Sequence, residues 1–276
     1  MKKSRRKFLK VAGISALGIG MTPAITTFAS SESQGTGTVD AVKSKNAEVF
    51  SAKRWGMVID TSKLTDAIAA NITDACHKAH NVPDFNHEPD KEKFPKTSPV
   101  NHHQEVKWIW KEHFEHAFPD KEDEFLAEKF KELPFLVTCN HCKNAPCVQA
   151  CPTQATFKRE DGIVLMDFHR CIGCRFCMAA CPFGARSFNF RDPRPFIEQT
   201  NSSFPTRTKG VVEKCNLCAE RLAKGQQPYC AEASQGAIVV GDLENSESEI
   251  RQLLNEKYSI RRKQELGTEP SVYYLM

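Results

Sequence analysis

The spacing of the cysteines limits this chain more than any other feature. Cys171, Cys174, Cys177 and Cys181 form C-x2-C-x2-C-x3-C, and Pro182 follows. That run ligates four-iron clusters, and its fourth cysteine serves the other cluster of a pair. Cys139, Cys142, Cys147 and Cys151, followed by Pro152, make a looser copy with four residues in the second gap. A third copy begins at Cys215 and Cys218 and reaches Cys230 after eleven residues; its fourth position holds Ser234. Cys76 remains, far upstream. The 12 cysteines therefore divide into three 4Fe-4S clusters with none left over.

Two other uses of cysteine fit less well. Ser4-Arg5-Arg6-Lys7-Phe8-Leu9-Lys10 has the twin-arginine export pattern, and an apolar stretch from Val11 to Ile19 follows it. Pro23 closes that stretch, and Thr27-Phe28-Ala29 is a small-residue cleavage site. The stretch is shorter than the roughly twenty apolar residues a bilayer span requires. Residues 1–29 therefore read as a signal peptide, and the remainder is expected in the periplasm, at the outer face of the cytoplasmic membrane. Exported cysteines usually form disulfides, but a CxxCxxC loop gathers three thiols around one metal centre. The twin-arginine route carries proteins already folded and loaded, which removes the conflict. Zinc sites use paired CxxC knuckles and have no use for a third cysteine two residues on. The leader also explains the basic pI. It holds six of the 38 Lys and Arg, leaving 32 basic against 34 acidic residues, a net of −2, so nucleic acid is not an expected partner.

Along the chain, residues 30–50 read as a Ser-, Gly- and Thr-rich linker. Arg54 to Asp60 reads as a strand, and a helix from about Thr65 to Ala79 carries Cys76. Residues 81–105 read as a long surface loop, Val106 to Trp110 as a short apolar run, and residues 120–132 as an amphipathic helix ending before Pro134. Ala155–Arg159 should pair with Ile163–Asp167 across a turn holding Asp161-Gly162. Further short strands are expected at 184–190 and 236–240, a surface helix from Ser246 to Leu254, and a charged then aromatic tail from Arg261. The result is a repeat of loop, short helix and short strand with little core of its own, stapled by metal.

With these motifs the chain resembles the iron–sulfur electron-transfer subunits that accompany molybdopterin reductases and membrane quinone subunits. The resemblance implies an α+β fold of two nested bacterial-ferredoxin-like modules with long loops. Residues 51–138 would form the first half of module one with a loop insertion, 139–204 module two, 205–241 the second half of module one, and 242–276 a C-terminal helix and tail. In the family, motif one pairs with motif four and motif two with motif three. Here Arg54-Trp55-Gly56-Met57-Val58-Ile59-Asp60 matches the strand before motif one, but of its cysteines only Cys76 is present. The family spacing puts the others at Ile72, Ala69 and either Asp66 or Leu64. Nesting then implies Cys76 with Cys215, Cys218 and Cys230; Cys181 with Cys139, Cys142 and Cys147; and Cys151 with Cys171, Cys174 and Cys177. All four ligands of the remaining cluster are missing, so it has been deleted whole. Ser234, with Gln235 in place of the usual proline, reads as plain structure.

Stretches outside the cysteine loops narrow the resemblance. They are Ala75–Pro83, Lys107-Trp108-Ile109-Trp110, Arg191–Phe196, Pro205–Cys215 and Gly267–Tyr274. Together they are similar to exported iron–sulfur subunits of transmembrane complexes associated with dissimilatory sulfite reduction. This implies a polytopic quinone-reactive membrane subunit and a multihaem cytochrome c as partners, with membrane attachment through a partner. A molybdopterin-containing reductase is the alternative partner. In the family the motif-two and motif-three module lies nearer the membrane, so the Cys76 centre would be the outer terminus. No residue looks placed for acid–base or nucleophilic catalysis, and the chain reads as a relay rather than an enzyme. His77, His80 and His141 beside the ligands, and His102 and His103 in the loop, read as solvated or loosely packed. Lys143, Arg170, Arg175 and Lys214 read mostly as surface charges, and Met166 and Met178 as packing.

Overall fold

Residues 52–86, Pro89, Glu92, 104–121 and 133–276 are described by the structure, a computed structural model. The expected leader and linker, most of the 81–105 loop with His102 and His103, and nearly all of the 120–132 helix lie outside the described residues. The first expected strand forms as β1 (Trp55–Asp60), buried from Gly56 onward. Its two faces pack into different cores, Met57 and Ile59 into one and Val58, with Leu243 and Ile250, into another, and both its edges are paired. It runs antiparallel to β8 (Ile238–Asp242) on one side and parallel to β10 (Val272–Leu275) on the other. β9 (Ser259–Ile260) pairs with the outer edge of β10. A Cβ on Gly56 would meet Leu243 Cδ1 at 2.5 Å, so a side chain there would force Leu243 to move. β1 precedes Cys76 and β8 follows Ser234, so their pairing joins the two halves of the expected outer module.

The helix α1 (Asp66–Ala79) starts where the Thr65 side chain accepts the Ile68 N–H. Its buried residues, Ala69, Ile72, Cys76 and Ala79, recur at helical spacing on one face. Cys76 therefore points inward, one turn past Ile72.

Smaller elements frame the other cysteine loops. β2 (Ile109–Glu112) pairs with β3 (Phe135–Thr138). β4 (Thr156–Lys158) and β5 (Val164–Met166) form the expected hairpin, Thr156 opposite Met166. β6 (Ser187–Phe188) pairs with β7 (Val212–Glu213). The expected 184–190 strand is cut to two residues because the Phe190 N–H turns back to the Phe188 carbonyl. Short helices follow: α2 (Phe114–Ala117), α3 (Pro146–Gln149), α4 (Phe176–Ala179), α5 (Ala219–Leu222) and α6 (Tyr229–Glu232). The surface helix is α7 (Glu249–Glu256). The tail departs most from expectation. Tyr274 on β10 is fully buried, and its hydroxyl donates to the Leu136 carbonyl at 2.9 Å.

Candidate metal centres

The cysteines gather in three groups of four. Cys76 lies in the last turn of α1, Cys215 follows β7, Cys218 precedes α5, and Cys230 lies in α6, which packs on α1. All four are buried. Burial, then the charges of Cys215, Cys230 and Cys218, push the Cys76 thiol well above its ordinary value. Burial and Cys215 push Cys230 up to about 12. Leu217 and Cys218 take left-handed backbone, at φ 56° and 48°. That turn brings the Leu217 N–H to donate to Cys215 Sγ at 3.3 Å.

Cys139 and Cys142 sit on the loop after β3, Cys147 in α3, and Cys181 just past α4. Burial, then Cys139, Cys147 and Cys181, push the Cys142 thiol up to about 12. Cys151, Cys171, Cys174 and Cys177 line one small cavity, with Thr156 and Met166 of the hairpin in its wall. Burial raises the Cys151 thiol, but the Thr156 amide and the Thr153 hydroxyl outweigh it and hold the thiol below its ordinary value. Gly173, at φ +70°, lets this loop cross the backbone at Gly210; a Cβ there would meet the Gly210 carbonyl oxygen at 2.4 Å. Cys174 is exposed, and its neighbours Ile172 and Phe176 are 68% and 59% exposed.

The groups also act on one another. After burial, Cys139 is the charge that most raises Cys215. Cys147 raises Cys177. The Cys139 group therefore neighbours both of the others.

These residues fit four-iron clusters better than zinc. Zinc holds thiolates at about 2.3 Å and draws them to roughly 3.8 Å of each other. Among the described residues, the three ligand atoms that come within 4.8 Å are those of His80, Cys218 and Glu220, with no three cysteines so close. The quartets are too open for zinc, and buried thiols pushed this high ionise only against a metal. Where a fourth group would stand, the space is filled except at the alternative first position, Asp66, which is exposed and pairs with Lys111 at 2.8 Å. Leu64, Ala69 and Ile72 are core residues, at most 4% exposed. Ser234 is buried; its hydroxyl donates to the Ala231 carbonyl at 2.7 Å and accepts the Ile238 N–H at 2.9 Å.

Several neighbours of the cysteines differ from their sequence reading. His80 and His141 are buried rather than solvated, and so is Lys214. The Val164 N–H donates to His141 Nδ1 at 3.1 Å, which leaves the ring proton on Nε2, an atom with no partner among the described residues. Burial, with the charges of Lys214 and Arg186, holds that ring well below its ordinary value. Lys214 donates to the carbonyls of Val164 and Cys215. Arg186 was missed. It is 5% exposed and donates to Thr156 Oγ1 and Met166 Sδ, both at 3.2 Å. Its charge acts on Cys147 and Cys177, one from each of two groups. Its sequence signal is faint, a basic residue five positions past Cys181. Lys143 and Arg170 are exposed and pair with Glu269 and Asp167, as surface charges do.

Comparison with known proteins supports 4Fe-4S clusters as the bound group. Residues 132–193, which contain Cys139 to Cys181, match the 4Fe-4S dicluster domain family. The chain is 37% identical to the Hdr-like menaquinol oxidoreductase iron-sulfur subunit 1 of Archaeoglobus fulgidus, over 98% of this chain and 97% of that one. It is 33% identical to the menaquinone reductase iron-sulfur cluster-binding subunit of Nitratidesulfovibrio vulgaris, over 80% and 88%. The thiosulfate reductase electron transfer subunit PhsB of Salmonella typhi is 42% identical, over 50% of this chain and 62% of its own.

Proposed function

We propose that this chain, which belongs to the family of iron–sulfur electron-transfer subunits of oxidoreductase complexes, relays electrons through three 4Fe-4S clusters between a membrane quinone-reactive subunit and a second redox partner. Each cysteine quartet would hold one cluster, and a bound cluster exchanges single electrons. The observation that carries the reading is the arrangement of the quartets. The Cys139 group adjoins both others, and the Cys151 group opens to the surface at Cys174 between two exposed apolar side chains. An exposed ligand lets a partner approach closely, and Ile172 and Phe176 give that partner apolar area to cover. The quinone-linked names of two relatives favour a membrane quinone-reactive partner, and the module order of the resembled family favours it at this end. The Cys76 centre is then the outer terminus, facing a multihaem cytochrome c. Among the described residues no helix is long and apolar enough to cross a membrane, and we assign attachment to the partner.

The narrower identification is DsrO, the exported iron–sulfur subunit of the sulfite-reduction-associated transmembrane complex. It rests on the flanking stretches and places the relay in sulfite and sulfur respiration, on the periplasmic side. A molybdopterin-containing reductase as partner is the second reading, favoured by the half-chain match to the thiosulfate reductase electron transfer subunit. Cross-linking of the native complex separates the two. Links from residues 139–190 to a polytopic membrane subunit are expected. Links from them to a molybdopterin subunit, with none to a membrane subunit, would overturn both the orientation and the partner. Anaerobic iron and sulfide analysis should find about twelve irons per chain; a fourth cluster would sink the count of three.

A further inference from the structure

His80, the residue after α1, is 1% exposed and touches two sulfurs of one quartet. Its Nδ1 lies 3.8 Å from Cys76 Sγ and 2.8 Å from the Cys76 carbonyl oxygen. Its Nε2 lies 3.6 Å from Cys218 Sγ and 3.1 Å from Glu220 Oε1. The carbonyl only accepts, so Nδ1 carries a hydrogen. Glu220 is itself held, its Oε2 accepting from Asn216 Nδ2 at 2.9 Å.

The ring is fixed on every side. Trp108 stacks on it at 4.6 Å between centroids, and Phe204 and Tyr229 meet it edge-on at 4.7 and 5.9 Å. Buried Arg207 donates to the His80 and Asn81 carbonyls. The same guanidinium pairs with buried Glu213 at 2.6 Å, and Glu213 accepts the Trp108 indole N–H at 2.7 Å. One buried ion pair thus locks both the backbone of His80 and its stacking partner. Ordinary filling of the core does not need that arrangement, since a buried ion pair is costly to desolvate.

We propose that His80 is a positioning residue that sets the reduction potential of the Cys76 centre, by holding its Nδ1 N–H between the Cys76 carbonyl and Cys76 Sγ and the Nε2 edge of the ring against Cys218 Sγ. Reduction adds negative charge, and hydrogen bonds to the ligand sulfurs favour the reduced form. The inference rests on a cluster being bound by this quartet.

Potentiometric EPR titration of the full-length, anaerobically loaded protein tests it, with iron content measured on each sample. His80→Phe keeps an aromatic plane for Trp108 but has no N–H. At a fixed applied potential it should lower the reduced-to-oxidised ratio of the Cys76 centre about tenfold, about 59 mV for one electron. The other two centres should not move. His80→Gln, which keeps an amide N–H, should shift less. A loaded His80→Phe with an unchanged midpoint, or with equal shifts at all three centres, overturns the inference while leaving the relay standing. Unaltered protein with only two clusters overturns the relay count and this inference together. Should His80→Phe fail to load, the unaltered protein labelled with 15N-histidine decides. Pulsed EPR of its reduced Cys76 centre should show a histidine-nitrogen coupling that His80→Gln lacks, and no such coupling overturns the inference.

Discussion

Cys76 stands 63 residues before the next cysteine, where a lone thiol is usually a small buried hydrophobe. Its neighbours in space remove that reading, since Cys215, Cys218 and Cys230 all act on it. Cys76→Ala should lose that one cluster or convert it to a three-iron form, with the other two spectra intact; three unchanged signals would make Cys76 a free thiol. Ser234→Cys should leave the iron content unchanged, because Leu64, Ala69 and Ile72 are packed core residues and offer no thiolate companions. A gain of iron on analysis would show that the deleted site is still open. Arg186→Gln removes a buried cation acting on two groups at once. It should lower the midpoints of both the Cys139 and Cys151 centres in an EPR titration and spare the Cys76 centre. The cysteines were legible as residues because spacing shows directly in the sequence. Arg186, Lys214 and His80 were not, because burial is a property of the folded surroundings and a basic side chain beside a motif looks the same whether solvated or enclosed.

At the level of elements, the main sheet and the cysteine loops differ in what holds them. The sheet has its own apolar core beneath β1 and α1, whereas the second core is small, with Val164, Phe183, Ala185 and Val212 packed among Cys142, Cys147 and Cys177. In a chain stripped of iron, hydrogen exchange should therefore accelerate first across residues 139–186, with β1, β8 and β10 protected longest. Equal loss of protection in both regions would contradict this. β10 is the element least visible in the sequence. Val272-Tyr273-Tyr274-Leu275 is too short to announce a strand, and its partner β1 lies more than two hundred residues earlier. Tyr274→Phe should cost about 1 kcal/mol by leaving the Leu136 carbonyl without its donor, while Tyr274→Ala should cost about 3–5 kcal/mol through the cavity. Anaerobic denaturant titration of the loaded protein would measure both. The hairpin β4–β5 was readable because Asp-Gly sets its turn locally.

Across the whole molecule the two ends of the proposed relay are built differently. The Cys76 centre is enclosed and bounded by aromatic rings, while the Cys151 centre reaches solvent through Cys174. Ile172→Glu combined with Phe176→Glu should reduce co-purification with the membrane subunit without lowering iron content, since both side chains point outward. Undiminished co-purification would move the docking face elsewhere.

By itself the sequence determined which thiols stand together in two of the trios, because gaps of two to four residues leave a short loop no other way to turn; the third, with eleven residues between Cys218 and Cys230, is grouped by its likeness to the other motifs. The sequence also showed no cysteine at 234 or between Asp60 and Cys76, which the nesting of the resembled family would make one absent ligand set. Only the tertiary structure decided how each trio meets its fourth thiol, and which histidine and which basic residues are enclosed with the sulfurs. Those contacts follow from β1 pairing with β8 and β10, segments about 180 and 215 residues away in the chain. Such pairings are driven by apolar burial shared between distant segments, and they leave no local period for a sequence to show.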